Sequence, residues 1–273
     1  MISRAYYWEL RKLAAQRRTY LGLALAALVP VGFAIGLKES PPSRIPHGTD
    51  PDVIFGSYVA VTGLALPLQT LVFAALLLLP AVAALVAGDI VATEHEHHTL
   101  KSILTRGASR SDVFAAKVAA TATYVLCALL LFTIVGLVAG AVTFGVHDLP
   151  TTPPVSPLPA AAYVFAAVVV FAWPLLAVTS FGLLFSTLFR NSASAIIAML
   201  ALAFALQIIT FIPGISHDIE RILLARQFNA WQALGRGHIS AEPLLECAGV
   251  SFVYAAVPLV FAWRRFTSQD VLN

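Results

Sequence analysis

Six stretches of the sequence are long and apolar enough to cross a lipid bilayer, at about residues 20–37, 57–87, 113–146, 160–189, 193–212 and 245–263. A membrane helix needs roughly 20 mostly apolar residues to span the hydrocarbon layer. Inside that layer each backbone N–H and C=O must be satisfied within the segment, which makes these runs helices. Composition agrees. Charged residues are 11% of the chain, well under the roughly 25% of a soluble domain. The expected fold is all-α: an amphipathic interfacial helix over residues 1–19, then one six-span membrane domain over 20–273. The second, third and fourth runs exceed a minimal span, so they tilt or project beyond the hydrocarbon. Pro67, Pro80 and Pro174 are candidate kinks. The first run lacks a small-residue cleavage pattern and reads as an uncleaved span, not a signal peptide.

Orientation follows from the distribution of Lys and Arg. Twelve of the seventeen fall on one side of the six runs, among them Arg4, Arg11, Lys12, Arg18, Lys101, Arg110, Lys117 and Arg265. That side is expected to be cytoplasmic, with both termini inside. The outer connections are proline-rich, except for a longer segment at 213–244. There Ile219, Ile222, Leu223 and Phe228 recur near helical spacing, which fits a surface helix or a re-entrant pair of short helices.

The N-terminal residues are amphipathic. Arg4, Arg11 and Arg18 repeat every seven residues, while Ile2, Tyr6, Leu10 and Leu13 fall on the opposite side. A basic stripe against an aliphatic and aromatic one suits a helix lying on the inner leaflet.

Residues 93–101 read TEHEHHTLK and belong to the cytoplasmic loop 88–112 between spans 2 and 3. A helix is expected over 91–105, with Leu100, Ile103 and Leu104 on one face, ending at Gly107. Ser109-Arg110-Ser111-Asp112 has the Ser-x-x-Asp form of a capping box and marks the start of span 3. Glu94 and His98, or His95 and His98, have spacings that could hold zinc. The protease pattern His-Glu-x-x-His fails because position 99 is Thr. Neither a resident metal nor a catalytic residue is expected.

No G-x-x-x-x-G-K-[ST] phosphate loop and no G-x-S-x-G elbow occurs. Acidic residues within the runs are almost absent, which argues against an ion-coupled carrier. Gln69 and Gln207 are expected to bond to neighbouring helices. Cys127 and Cys247 lie in apolar runs and read as small buried residues, with no disulfide framework.

Asp89, Ala92-Thr93-Glu94, Thr99-Leu100-Lys101, Leu104, Ser109-Arg110 and Lys117 together resemble the cytoplasmic-loop pattern of type-2 ABC exporter permeases. That family has Gly where this chain has His98. The six spans, the amphipathic N-terminus and the long outer segment extend the resemblance over the chain. The resemblance implies a permease that binds no cofactor itself. ATP and Mg would bind to a separate ATPase subunit, present in two copies, beside a second permease copy or a paralogue. It implies that Leu100, Ile103 and Leu104 anchor a coupling helix in the ATPase, with Glu94, Glu96, His98, Thr99 and Lys101 completing the contact. Arg4, Tyr6, Leu10, Arg11, Leu13 and Arg18 would hold the N-terminal helix along the bilayer. A bacterial cytoplasmic membrane is expected, without a nucleic-acid partner. Two other readings compete: a membrane metalloenzyme using Glu94 to His98, and a stand-alone secondary carrier.

Overall fold

The computed structural model describes residues 2–39, 62–96, 109–148, 156–210, 217–235 and 241–268, and among these every regular element is helical. Six helical segments are long and apolar enough to cross a membrane: Arg17–Glu39, Gly63–Glu94, Arg110–Phe144, Pro157–Leu188, Ser192–Ile209 and Ala241–Ser268. The protein is an all-α, multi-pass membrane protein. The third, fourth and sixth helices start before their apolar runs, because a helix continues into polar flanks that hydropathy does not count. The sixth run, expected at 245–263, carries on through Arg264 and Arg265 to Ser268.

The N-terminal region differs from one nineteen-residue helix. Helix α1 covers Ile2–Ala15, and α2 covers Arg17–Glu39. Gln16 separates them, its N–H donating back to Leu13 O at 3.1 Å. Arg18 therefore lies in the first turn of the first span and not on the interfacial helix.

The second span is a series of short pieces. A 3-10 turn at Gly63–Ala65 leads into α3, Leu66–Phe73. A π-helical turn at Ala74–Leu78 then leads into α4, Leu79–Ala87. Pro67 and Pro80 sit in the first turns of α3 and α4, where a missing N–H removes no helical bond. The π turn loosens the local ladder, and Gln207 Nε2 donates to Ala75 O there at 3.1 Å. After residue 87 the chain turns and α5 forms over Ala92–Glu96. The rest of the expected 91–105 helix, Gly107 included, lies outside the described residues.

Helix α6 spans Arg110–Phe144, and Ser109 Oγ accepts from Asp112 N–H at 3.0 Å, as the capping pattern anticipates. Helix α7, Pro157–Leu188, contains Pro174 and is the most enclosed of the later spans. Its Ala167, Phe171, Leu175 and Val178 are buried against α4, against α8 (Ser192–Ile209) and against the last helix, Ala241–Ser268. Helix α2 packs along α6.

Two close approaches set the bundle's spacing. A Cβ added to Gly63 would lie 2.0 Å from Gly140 O, and one added to Gly182 would lie 2.3 Å from Met199 Sδ and 2.7 Å from Ala87 Cβ. Such contact between helix backbones is how spans associate where lipid offers no hydrophobic drive. Buried threonines return their hydroxyls to their own helix: Thr133 Oγ1 donates to Leu129 O at 2.9 Å and Thr179 Oγ1 to Leu175 O at 2.7 Å.

The segment between the fifth and sixth spans folds against the bundle. Helix α9 covers His217–Ile222, α10 covers Leu224–Gln227, and a 3-10 turn covers Ala230–Gly235. Extended backbone at Leu223 splits the expected single helical face. Ile219 and Ile222 face outward, while Leu224, Phe228 and Trp231 are buried. Phe228 stacks on Phe171 at 5.0 Å between ring centroids. These short helices pack on the bundle, with α10 and the following turn seated against α7 and α11, the Ala241–Ser268 helix. Cys247 is buried as expected, but Cys127 is exposed.

Candidate functional site

The basic ends of the helices gather at one end of the bundle. Arg110 donates to Thr267 O at 3.1 Å, and Arg265 Nε donates to Thr187 O at 3.2 Å. At this end the sequence places charge where the structure buries it, in two connected groups.

The first group centres on Lys117, whose side chain is 0% exposed. Lys117 lies seven residues along α6 from its start at Arg110, within an apolar run. An ammonium there needs acidic partners. Its Nζ donates to Glu94 Oε1 at 2.6 Å, to Glu9 Oε1 at 3.1 Å and to Ile90 O at 3.1 Å. Lys12 bonds the same two carboxylates, Glu94 closely and Glu9 at 3.1 Å. Two carboxylates and two ammonium groups balance. Burial acts to lower the basicity of Lys12, but Glu94 and then Glu9 outweigh it and hold it above its ordinary 10.5. The second oxygens, Glu9 Oε2 and Glu94 Oε2, have no partner among the described residues.

The second group centres on Asp89, which pairs with Arg18 and accepts from Thr93 Oγ1 and Ser192 Oγ. Ser186 of α7 completes the support: its Oγ accepts from the N–H groups of Val91 and Ala92, each at 2.9 Å. The first turn of α5 is thereby held by a side chain from another span, which satisfies donors that a helix start leaves free.

These contacts join α1, α2, the α4–α5 turn, α6, α7 and α8 where the second span becomes the loop. Glu94, expected on an outward rim, is buried and held by two lysines. Glu96 ends α5, and its side chain lies outside the described residues. So do His98, Thr99, Leu100, Lys101, Ile103 and Leu104. On α1, Tyr6 OH and Thr123 Oγ1 share a hydrogen bond at 2.8 Å, Leu10 packs on the core and Leu13 is buried, whereas Arg4, Arg11 and Ile2 are exposed. Arg18 works as Asp89's partner. Sequence reasoning passed over Glu9 and Lys12 as site residues. The available signals were a lone acid on a basic helix, three residues before a lysine, and a lone lysine inside an apolar run. Among the described residues no group of three His, Cys, Asp or Glu could hold a metal ion.

The fold and this cluster define a class: a helical multi-pass membrane protein whose basic end is tied together by buried ion pairs. The chain belongs to the family described as proteins of unknown function, DUF2705, whose profile matches residues 56–272. Asp89, Glu94 and Lys117 fall within the match, and Glu9 and Lys12 precede it. Comparison with curated proteins gives no match.

Proposed function

We propose that the chain is the membrane-spanning permease subunit of an ATP-driven exporter, working with a separate ATPase in a bacterial cytoplasmic membrane. Both termini face the cytoplasm. The chain carries no nucleotide site; two ATPase subunits bind ATP and Mg, and a second permease copy or a paralogue completes the pathway for a hydrophobic or amphipathic solute.

The observation that supports this reading most is the Glu94–Lys117–Glu9 link. It ties the root of the cytoplasmic loop to the third span and to the N-terminal helix. A partner that pulls on the loop would move these elements as one body, the rigid coupling that interconversion of inward and outward states requires. Glu94 and Lys117 both also belong to the loop pattern that resembles exporter permeases. Glu94's engagement by two ammonium groups weighs against the Glu94 and His98 pair as zinc ligands, one form of the metalloenzyme reading.

The test is co-purification with the ATPase encoded beside the chain. Wild type is compared with Leu100→Asp/Leu104→Asp and with His95→Ala/His97→Ala/His98→Ala. Loss of the complex and of ATPase stimulation in the aspartate variant alone is the expected result. Equal binding by all three, or loss of activity and bound metal in the histidine variant alone, would overturn the proposal.

A further inference from the structure

We propose that the outer face of α1 is a docking surface for anionic phospholipid headgroups, read by Arg4 and Arg11 beside Tyr7 and Trp8. The inner face of this helix is committed: Glu9 and Leu13 are buried, and Tyr6 bonds to α6. The opposite face is not. Tyr7 and Trp8 are each 58% exposed. Arg4, Tyr7, Trp8 and Arg11 recur at i, i+3, i+4 and i+7, so they share one stripe.

The two guanidiniums have no acidic partner among the described residues. The acids that do engage α1, Glu9 on the helix itself and Glu94, are already taken by Lys12 and Lys117. Arg11 is held over both rings, its Cζ 5.5 Å from the Tyr7 centroid and 5.7 Å from that of Trp8. Stacking restrains the guanidinium without using its N–H donors, and a guanidinium with free donors can meet a phosphate bidentately.

The depth is right for a headgroup. Helix α6 has 35 residues, about 52 Å at 1.5 Å per residue, against a hydrocarbon layer of about 30 Å. Shared between the ends, the excess is about two turns on each side. Lys117, the partner of Glu9, lies about two turns in, at the boundary. Helix α1, joined to α6 there through Glu9 and Tyr6, packs beside this boundary, the level at which interfacial helices lie. Tyr and Trp favour that zone, and arginines beside it attract anionic lipid.

The test places a benzoylphenylalanine photo-cross-linker at Tyr7 of the full chain. The protein is reconstituted in vesicles of mixed phosphatidylcholine and phosphatidylglycerol, and lipid adducts are identified by mass spectrometry. Enrichment of phosphatidylglycerol adducts over its share of the vesicle is expected. It should fall roughly fivefold per arginine in Arg4→Gln/Arg11→Gln, recover largely in Arg4→Lys/Arg11→Lys, and weaken with salt. Because both arginines are exposed, the fold should survive these changes, checked by the thermal midpoint. Adducts that follow the bulk lipid ratio in wild type would overturn the proposal. So would a ratio indifferent to the glutamine pair, or a polypeptide adduct when the labelled chain is irradiated in cell membranes.

Discussion

The ammonium of Lys117 lies 2.6 Å from Glu94 Oε1, with the lysine side chain fully buried and the glutamate 5% exposed. Removing one partner from such a pair leaves an uncompensated charge in a low-dielectric site and costs about 3–5 kcal/mol. Lys117→Met should therefore lower the thermal midpoint in detergent sharply, and Glu94→Leu should do likewise. Glu94→Leu/Lys117→Met should lie closer to wild type than either single variant, because Glu9 and Lys12 can still pair with each other at 3.1 Å. Additive losses in the double variant would show that the pair does not act as a unit.

Gly140 faces Gly63 backbone to backbone. A Cβ on Gly140 would lie 2.1 Å from Gly63 O and 3.0 Å from Leu66 Cβ. The neighbour is backbone and cannot swing aside, so Gly140→Ala should separate spans 2 and 3 and destabilise by about 1–3 kcal/mol. Gly249→Ala is the control, since no atom lies within 4 Å of its added Cβ. Equal unfolding midpoints for the two variants would contradict the contact.

Lys12 is held above its ordinary 10.5 by Glu94 and Glu9 against the opposing effect of burial. A raised folded value means that its contribution is complete below the unfolded value and is lost as pH rises through the folded one. The groups facing it are Glu9, Glu94 and, across them, Lys117. The thermal midpoint of wild type minus that of Lys12→Gln should stay constant from about pH 7 to about pH 10 and shrink above about 10.5. A difference that disappears already near neutral pH would show that Lys12 is not engaged as described.

The spans were legible because a bilayer imposes length and apolarity on each segment separately, and the start of α6 because Ser109 acts within three residues of itself. The cluster was harder to read. Glu9 and Lys117 are 108 residues apart, and Arg18 and Ser192 are 174 apart, so no local pattern pairs them. The seven-residue repeat of Arg4, Arg11 and Arg18 suggested one helix, but pairing with Asp89 draws Arg18 into the first span, and no Gly or Pro marks the break at Gln16. The outer segment's apolar spacing was real. Its packing on the bundle depends on Phe171 and Cys247 as distant partners, with Cys247 Sγ 3.6 Å from Gln227 O.

Transmission from the loop to the bundle is tested by hydrogen exchange on the chain together with the ATPase proposed as its partner. Amide protection of residues 2–15 and of the first turns of α6 would be compared with and without ATP, in wild type and in Glu94→Gln. ATP should change protection in both regions of the wild type. Glu94→Gln should still bind the ATPase but lose the response in α1. An identical ATP response in the variant, or none in the wild type, would contradict the claim that the buried ion cluster carries the movement.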